Sequence, residues 1–550
     1  MNFAEESISM SVNTSSAKYP IIFVTGIGQT WSTLRGSNGE RWNILPSSKE
    51  ALLGDLGVRD YLAVLRLASN LIATFITGKN RIKTHNMKRV ISSLFDCCIA
   101  DENGNLPDKV DVRIYGARSF DVLRRIDFNS GKVCDSDDSL LKRLYRDIPC
   151  TEISSVYGEE NMYCFNYSPF TNLEQDAELL HMMIEDVIED QKNKTGADKV
   201  ILIPMSMGAT VVTSYLDKYY TDDGPVGKNY ISKVISIVGA WDGSDGLADL
   251  LSMSTAQDFI SRLYDIAGDK GSKILRRFSN DTILSILKTV IDAVVQSILI
   301  NTTSFSALIP SKRFDSVAEE IFSEMNLKSN PKLKDIYKRA KSYNSAQINL
   351  KRRMTNLQRD CGIGFYFISG YNMDFGGGGG DFTFLQFTDS SDKTNSDGVI
   401  QISSTAPGTA FVKAGKRFEN CEGRILSPEG SIDVSKCWFR DTSWYFEGQE
   451  HELGTNNTAL RLAGDIALGR VKDVYNEKYP QFNKMRNIKG VYEALEKAES
   501  IINSDKHSFD ETKQLREAVI KTRSMLECTL NNPENDNKII KDLLCAVDKF

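Results

Sequence analysis

The sequence predicts an α/β fold, a mostly parallel sheet with flanking helices, on three observations. Two short runs, 19–24 (Tyr-Pro-Ile-Ile-Phe-Val) and 200–203 (Val-Ile-Leu-Ile), are apolar without alternation, as strands buried on both faces are. Each leads straight into a turn containing small residues, Thr25-Gly26-Ile27-Gly28-Gln29 after the first and Pro204-Met205-Ser206-Met207-Gly208 after the second. Behind the second turn Val212, Leu216 and Tyr219 recur at helical spacing, so strand, tight turn and helix follow without a break.

Composition narrows the possibilities. The 550 residues leave room for one large domain with insertions and a smaller one, and a net charge of −6 implies no polyanion-binding surface and no nucleic-acid partner. Ten cysteines show no Cys-x-x-Cys spacing; a Cys421–Cys437 pair needs an oxidising compartment, and free buried thiols are the simpler reading. Residues 1–18 are polar and acidic, with no basic region followed by an apolar core. They read as a disordered tail rather than a signal peptide, which points to a cytoplasmic protein.

Residues 31–105 read as helical and irregular. The stretch 61–76 is taken as a packed helix, and the basic stretch around His85 as a solvated face. Strands are expected at 110–115, 161–167 and 233–238. Residues 172–191 form an acidic amphipathic helix with Leu179, Met182, Met183 and Val187 inward and His181 structural or exposed. No cofactor or metal is implied: the early glycine turn has neither a full dinucleotide fingerprint nor a Walker lysine. The five glycines 376–380, flanked by Asp374 and Asp381, fit a flexible hairpin loop better than a calcium loop.

Ser206 stands where a nucleophile elbow requires its serine, lifted above the strand end with a free N–H just beyond it. Gly208 supplies the small residue needed for close strand–helix approach, although Pro204 occupies the other glycine position of Gly-x-Ser-x-Gly. Met207 is the expected oxyanion donor after the serine, and Ile27, in the turn after the early strand, the expected second one. Together these features predict an α/β-hydrolase.

Several segments resemble one family. Ile203-Pro204-Met205-Ser206-Met207-Gly208 resembles the elbow of the lecithin:cholesterol acyltransferases, and especially that of the phospholipid:diacylglycerol acyltransferases, with proline at the same place. Val238-Gly239-Ala240-Trp241-Asp242-Gly243 is similar to the family's Gly-x-Pro-Trp-Gly-Gly, and residues 306–311 to its Leu-Pro-Ser stretch. The resemblance, over about 19–470, implies an acid loop at 395–400 carrying Asp397 and a histidine loop at 449–454 carrying His451. Asp389 and Asp392 stay open as alternative acids. Of four histidines only His451 and His507 follow Asp397, and His507 falls between two C-terminal helices. Ser206, Asp397 and His451 then stand in the chain order of the fold's triad. Phe165-Asn166-Tyr167 departs from the family's Asp-Trp-Arg, and Trp31 is a loose match for its tryptophan after the oxyanion strand.

The resemblance further implies a lipid or other ester substrate, met at a membrane surface in some of its forms, and a cap insertion at about 245–355. Within that cap, residues 283–300 are apolar around most of a helix except for a stripe of Lys288, Asp292 and Gln296. This helix would line an acyl groove, cover the site, or form the cap's own core. Residues 487–550 read as a three-helix bundle, with a Ser508–Glu511 capping box and a helix start at Pro533. The bundle weakly resembles the FIVAR-type modules of bacterial surface proteins, which implies a protein or surface partner. Two functions follow: a serine lipase, esterase or O-acyltransferase, or a non-catalytic binding protein that kept the fold.

Overall fold

The computed structural model describes residues 19–34, 41–43, 66–67, 69–70, 79–94, 100–101, 105–108, 110–133, 138–148, 150–192, 194–221, 224–252, 276, 279–297, 302–323, 333–377, 385–386, 388–420, 422–452, 457–484, 491–504, 507–527 and 533–550. Seven parallel strands make the central sheet: β1 (Ile21–Val24), β2 (Met162–Phe165), β3 (Val200–Pro204), β4 (Ile231–Ile237), β5 (Gly364–Tyr371), β6 (Ser443–Glu447) and β7 (Phe482–Lys484). Their order is β7-β6-β5-β4-β3-β1-β2.

Alternation along the strands feeds two cores. Ile21, Phe23, Ile201, Ile203, Ile235 and Ile237 face one side, with the helices Thr151–Tyr157 and Asn457–Ala467. Ile22, Val24, Leu202, Val234 and Phe367 face the other, with Leu173–Lys192, Gly208–Tyr219 and Leu333–Cys361. Both faces are covered, and an α/β architecture of three layers results.

The connection order locates a crevice. The chain steps from β1 to β2 on one side, returns past β1 to β3, and then adds β4 to β7 outward. Loops leaving the carboxyl ends of β1 and β3 therefore diverge, which is where such sheets bind ligands. These are the loops carrying Ile27 and Ser206.

Several expectations need revision. Trp31–Leu34 and Arg41–Asn43 are not helical but pair as antiparallel strands, and Val110–Asp111 pairs antiparallel on the other edge of Trp31–Leu34. Asn166 fixes that ribbon: its amide donates to the Trp31 and Val112 carbonyls (2.8 and 2.6 Å) and accepts from the Trp31 N–H (2.9 Å). Met182 is 58% exposed, because Leu180, Ile184, Val187 and Ile188 form the inner face of its helix. The helix Leu333–Cys361 runs unbroken through the expected end of the cap at 355. Its Tyr343, Leu350, Met354 and Leu357 belong to the sheet's core, so its second half is a crossover helix of the sheet. The sheet also continues past 470, since β7 pairs with β6 and Trp444 Nε1 donates to the Tyr479 carbonyl (3.0 Å).

The helix Asn280–Ser297 lies against Thr84–Leu94, and Asn80 bonds its Ser285 and Thr289 hydroxyls. It buries Ile283 and Ala293 and exposes Ser285 and Lys288; the side chains of Asp292 and Gln296 lie outside the described residues, as do most of 61–76, residues 378–380 and Cys421. Helices Val491–Ile502, Lys513–Glu527 and Pro533–Val547 pack around Leu495, Ala498, Leu515, Leu543 and Val547. Ser508 N–H donates to Glu511 Oε2 (2.7 Å) while Glu511 N–H donates to Ser508 Oγ (3.3 Å), the reciprocal cap its spacing predicts. No helix among the described residues is long and apolar enough to cross a membrane.

Candidate active site

Ser206 lies two residues past β3 and has φ of 49°, a left-handed conformation that costs a non-glycine residue roughly 1–3 kcal/mol. Its neighbours hold it there. Met205 bridges to Ile237, Ser206 N–H donates to the Ile237 carbonyl (3.4 Å), and Ala240 N–H donates to the Ser206 carbonyl (2.9 Å). The turn also needs bare backbone. A β-carbon on Gly208 would sit 2.2 Å from the Val24 carbonyl oxygen, and one on Gly26 only 2.7 Å from Ser206 Cβ. Each glycine is required by the close approach of the β1 and β3 loops.

Asp397 lies on the long loop that leaves β5 and returns to its end. Asn372 turns the chain there with φ of 70°, and Met373 and Ser396 exchange backbone hydrogen bonds (3.1 and 2.8 Å). Asn395, fully buried, accepts from Asn372 N–H (2.6 Å) and donates to the Val412 carbonyl and Ser431 Oγ. Asp397 Oδ1 accepts from the N–H groups of Val399 (3.0 Å) and Ile400 (2.8 Å). That leaves Oδ2 aimed outward.

His451 follows β6 on a loop that the Gln449 side chain clasps, donating to the carbonyls of Glu450 (2.7 Å) and Glu452 (3.5 Å) on either side of the histidine. His451 N–H donates to the Asp397 carbonyl (2.8 Å), and its Nδ1 lies 2.8 Å from Asp397 Oδ2. A carboxylate only accepts, so Nδ1 carries the proton and Nε2 is the acceptor. Nε2 lies 2.8 Å from Ser206 Oγ. Three residues from three separate loops thus form one continuous line of hydrogen bonds. Gly370, near the end of β5, lets the two loops meet: a β-carbon on it would lie 2.2 Å from the Gln449 carbonyl oxygen and 3.0 Å from Asp397 Cβ.

The remaining candidates sort themselves by position. Asp392 is exposed, Asp389 is half-buried, and the His451 nitrogen either would need is taken by Asp397. His181 stacks on Tyr219 (centroids 3.9 Å apart) and His507 meets Phe550 edge-on (5.1 Å). Trp31 packs edge-on against Phe128 and donates to Asp147, and so stabilises the ribbon. The N–H groups of Ile27 and Met207 make no hydrogen bond among the described residues. Met207 also caps the N-terminus of Gly208–Tyr219, where the helix dipole favours negative charge.

The two other segments of the resemblance lie against each other. Ser244 N–H donates to the Leu308 carbonyl (2.8 Å) and Ser311 N–H to Asp242 Oδ1 (2.8 Å). Burial pushes the Asp242 carboxyl above its ordinary range, against the pull of that hydrogen bond. Arg313 spans Asp245 and Asp249, fixing the start of the cap. A groove of about 800 Å³ lies elsewhere, beside residues 100–113 and 171–182, and none of the three linked residues lines it. Sequence reasoning misses Gly370, and it reads Asn395 and Gln449 only as the first residues of the two loops, not as the side chains that support them.

No family model matches the chain, and no curated protein matches it. Among solved structures, the Tle4-Tli4 complex is similar at 12% identity and a TM-score of 0.37, over 83% of this chain and 99% of that one. An overlap that loose does not define a shared architecture. The fold is an α/β fold built on a parallel sheet.

Proposed function

We propose that the protein is a serine hydrolase of the α/β-hydrolase fold that cleaves carboxylic esters, lipid esters among them, through an acyl-serine intermediate. One observation carries the reading: Ser206 Oγ, on a strained strand-to-helix turn, is joined to His451 and His451 to Asp397 by two hydrogen bonds of 2.8 Å. The kinship with lecithin:cholesterol acyltransferase-type enzymes belongs to the same proposal and rests on the motifs around Ser206, Trp241 and Pro310.

In this mechanism Ser206 Oγ attacks the ester carbonyl while His451 Nε2 takes its proton. Asp397 holds the Nδ1 proton and stabilises the imidazolium. The carbonyl oxygen becomes an oxyanion that accepts from the Ile27 and Met207 N–H groups, each worth about 3 kcal/mol in the transition state. Collapse breaks the ester C–O bond, and His451 returns its proton to the departing alkoxide. Water or a second alcohol then attacks the acyl-serine, with His451 as base and then acid. The helices from Val491 onward carry no part of this chemistry; their role is recruitment of a protein or surface partner.

The test is covalent labelling. A fluorophosphonate probe should mark Ser206, and Ser206→Ala should abolish both labelling and turnover of acetyl and palmitoyl p-nitrophenyl esters with the melting temperature unchanged. Folded protein that stays unlabelled and inactive on both esters would instead favour a binding protein that kept the fold.

A further inference from the structure

We propose that Ser244 is a positioning residue of the triad, acting on Asp397 through a single peptide group. The inference rests on the acyl-serine reading and deepens it by adding a residue behind the acid.

Ser244 is the N-cap of the helix Asp245–Leu251, and its backbone is held on both sides. Its N–H donates to the Leu308 carbonyl (2.8 Å), and its own carbonyl accepts from the Ala248 N–H (2.9 Å). An N-cap serine ordinarily turns its hydroxyl oxygen toward the N–H groups of the first helical turn. Ser244 makes no such bond. Its fully buried hydroxyl donates instead to the Val399 carbonyl (2.7 Å). The helix forgoes its side-chain cap, and the hydrogen bond goes to the acid loop.

The Val399 carbonyl and the Ile400 N–H belong to one planar peptide group, and in a trans peptide they point in opposite directions. The Ile400 N–H donates to Asp397 Oδ1 (2.8 Å). Ser244 Oγ, this peptide, Asp397, His451 and Ser206 Oγ therefore form one unbroken line, with every bond between 2.7 and 2.8 Å. A donor on the carbonyl end polarises the peptide and strengthens its N–H as a donor. It also fixes the plane of the peptide. Val399 N–H reaches Oδ1 as well (3.0 Å), but from the preceding peptide, whose atoms Ser244 does not bond. Without the hydroxyl the Val399–Ile400 peptide can turn about its flanking torsions. Oδ1 then keeps one of its two donors, and Oδ2 loses its aim at His451 Nδ1.

The two segments stay tied when the hydroxyl is removed. On either side of Ser244, Asp242 N–H donates to Ser404 Oγ (2.9 Å) and Asp245 N–H to Gln401 Oε1 (3.0 Å). Ser404 is thus a matched control: it is as deeply buried and joins the same segments, but its bond does not lead to Asp397.

Full-length Ser244→Ala and Ser404→Ala are to be compared with wild type in two ways. One is kcat and KM on p-nitrophenyl acetate. The other is the far-downfield proton NMR line of His451 Nδ1–H, which moves upfield as its bond to Asp397 lengthens. Ser244→Ala should lose about 10–100-fold in kcat with KM nearly unchanged, and its line should move upfield. Ser404→Ala should keep the wild-type line and near wild-type kcat, even with a lowered melting temperature. An unmoved line or near wild-type kcat in Ser244→Ala would overturn the proposal. So would equal losses in the two variants, which would make Ser244 one structural tie among several. If Ser244→Ala does not fold, Ser244→Cys takes its place, keeping a weaker donor of similar shape, and an unmoved line there refutes the role. The line needs no turnover, so the two readings fail separately. Wild-type protein that never labels at Ser206 refutes the acyl-serine reading, whereas an unmoved line in a variant that labels refutes only the role of Ser244.

Discussion

Gly370→Ala is the sharpest test of how the two distant loops are brought together. The added methyl would stand 2.2 Å from the Gln449 carbonyl oxygen and 3.0 Å from Asp397 Cβ, both outside any flexible side-chain end. The carbonyl must retreat by about 1 Å to reach an ordinary contact, and it belongs to a backbone two residues from His451. Overpacking of this kind costs about 1–3 kcal/mol, so the melting temperature should fall by a few degrees without loss of the fold. The effect on chemistry should be larger. A displacement of about 1 Å in a catalytic constellation lowers the rate about 100-fold. His451 bonds both Asp397 and Ser206, so moving its loop lengthens two bonds of 2.8 Å at once. The assay is kcat and KM on p-nitrophenyl acetate together with the fluorophosphonate labelling rate, both normalised to folded protein by circular dichroism. Turnover within twofold of wild type and an unchanged melting curve would show that the loops have slack, and the steric argument would fall.

Asp397→Asn should lower kcat about 10⁴-fold by favouring the wrong histidine tautomer, while Asp389→Asn and Asp392→Asn stay near wild type; a greater loss at either of the latter relocates the acid. Lys233, on β4 itself, donates to the carbonyls of Ile466 and Ala467, and burial pushes its ammonium down to about 8. Between that value and the ordinary lysine range the unfolded chain binds more protons than the native one, so stability should rise with pH across this window. Lys233→Met should flatten that rise, which denaturant midpoints at either end of the window would reveal; an unchanged slope rejects Lys233 as its source.

Much of the site was legible because strand and turn chemistry are local. Ser206 sits between an unbroken apolar run and a helical repeat, and scarcity of histidine left His451 almost alone. What stayed hidden was the machinery that is local in space but not in sequence. β5 (Gly364–Tyr371) and β6 (Ser443–Glu447) mix serine, glycine and aromatics, so neither shows the aliphatic run that revealed β1 and β3. Their burial comes from Trp241 and Phe439 packing on Phe367, and from β7, which lies beyond the expected end of the domain. Gly370 reads as one glycine among 38 until both loops are built over it. The Trp31 ribbon reads as helix in the sequence because its stabilising partner, Asn166, lies 135 positions away, just past β2. The crossover helix Leu333–Cys361 was divided because its first half serves the cap and its second the sheet, with no break in its sequence pattern.

The sheet order β7-β6-β5-β4-β3-β1-β2 also places Ser206 and His451 behind strands that are made far apart during biosynthesis. Ser206 can be set on its turn as soon as β1, β3 and β4 associate, yet His451 arrives only after β6, and β6 is flanked by a strand made later still. In the proposed mechanism a growing chain therefore holds Ser206 without its His451 partner until residues beyond β6 have been made. Non-local strands of this kind join slowly. Reactivity toward a fluorophosphonate should therefore trail the return of helical signal in a refolding experiment. Simultaneous recovery of the two would mean that the outer strands assemble with the centre.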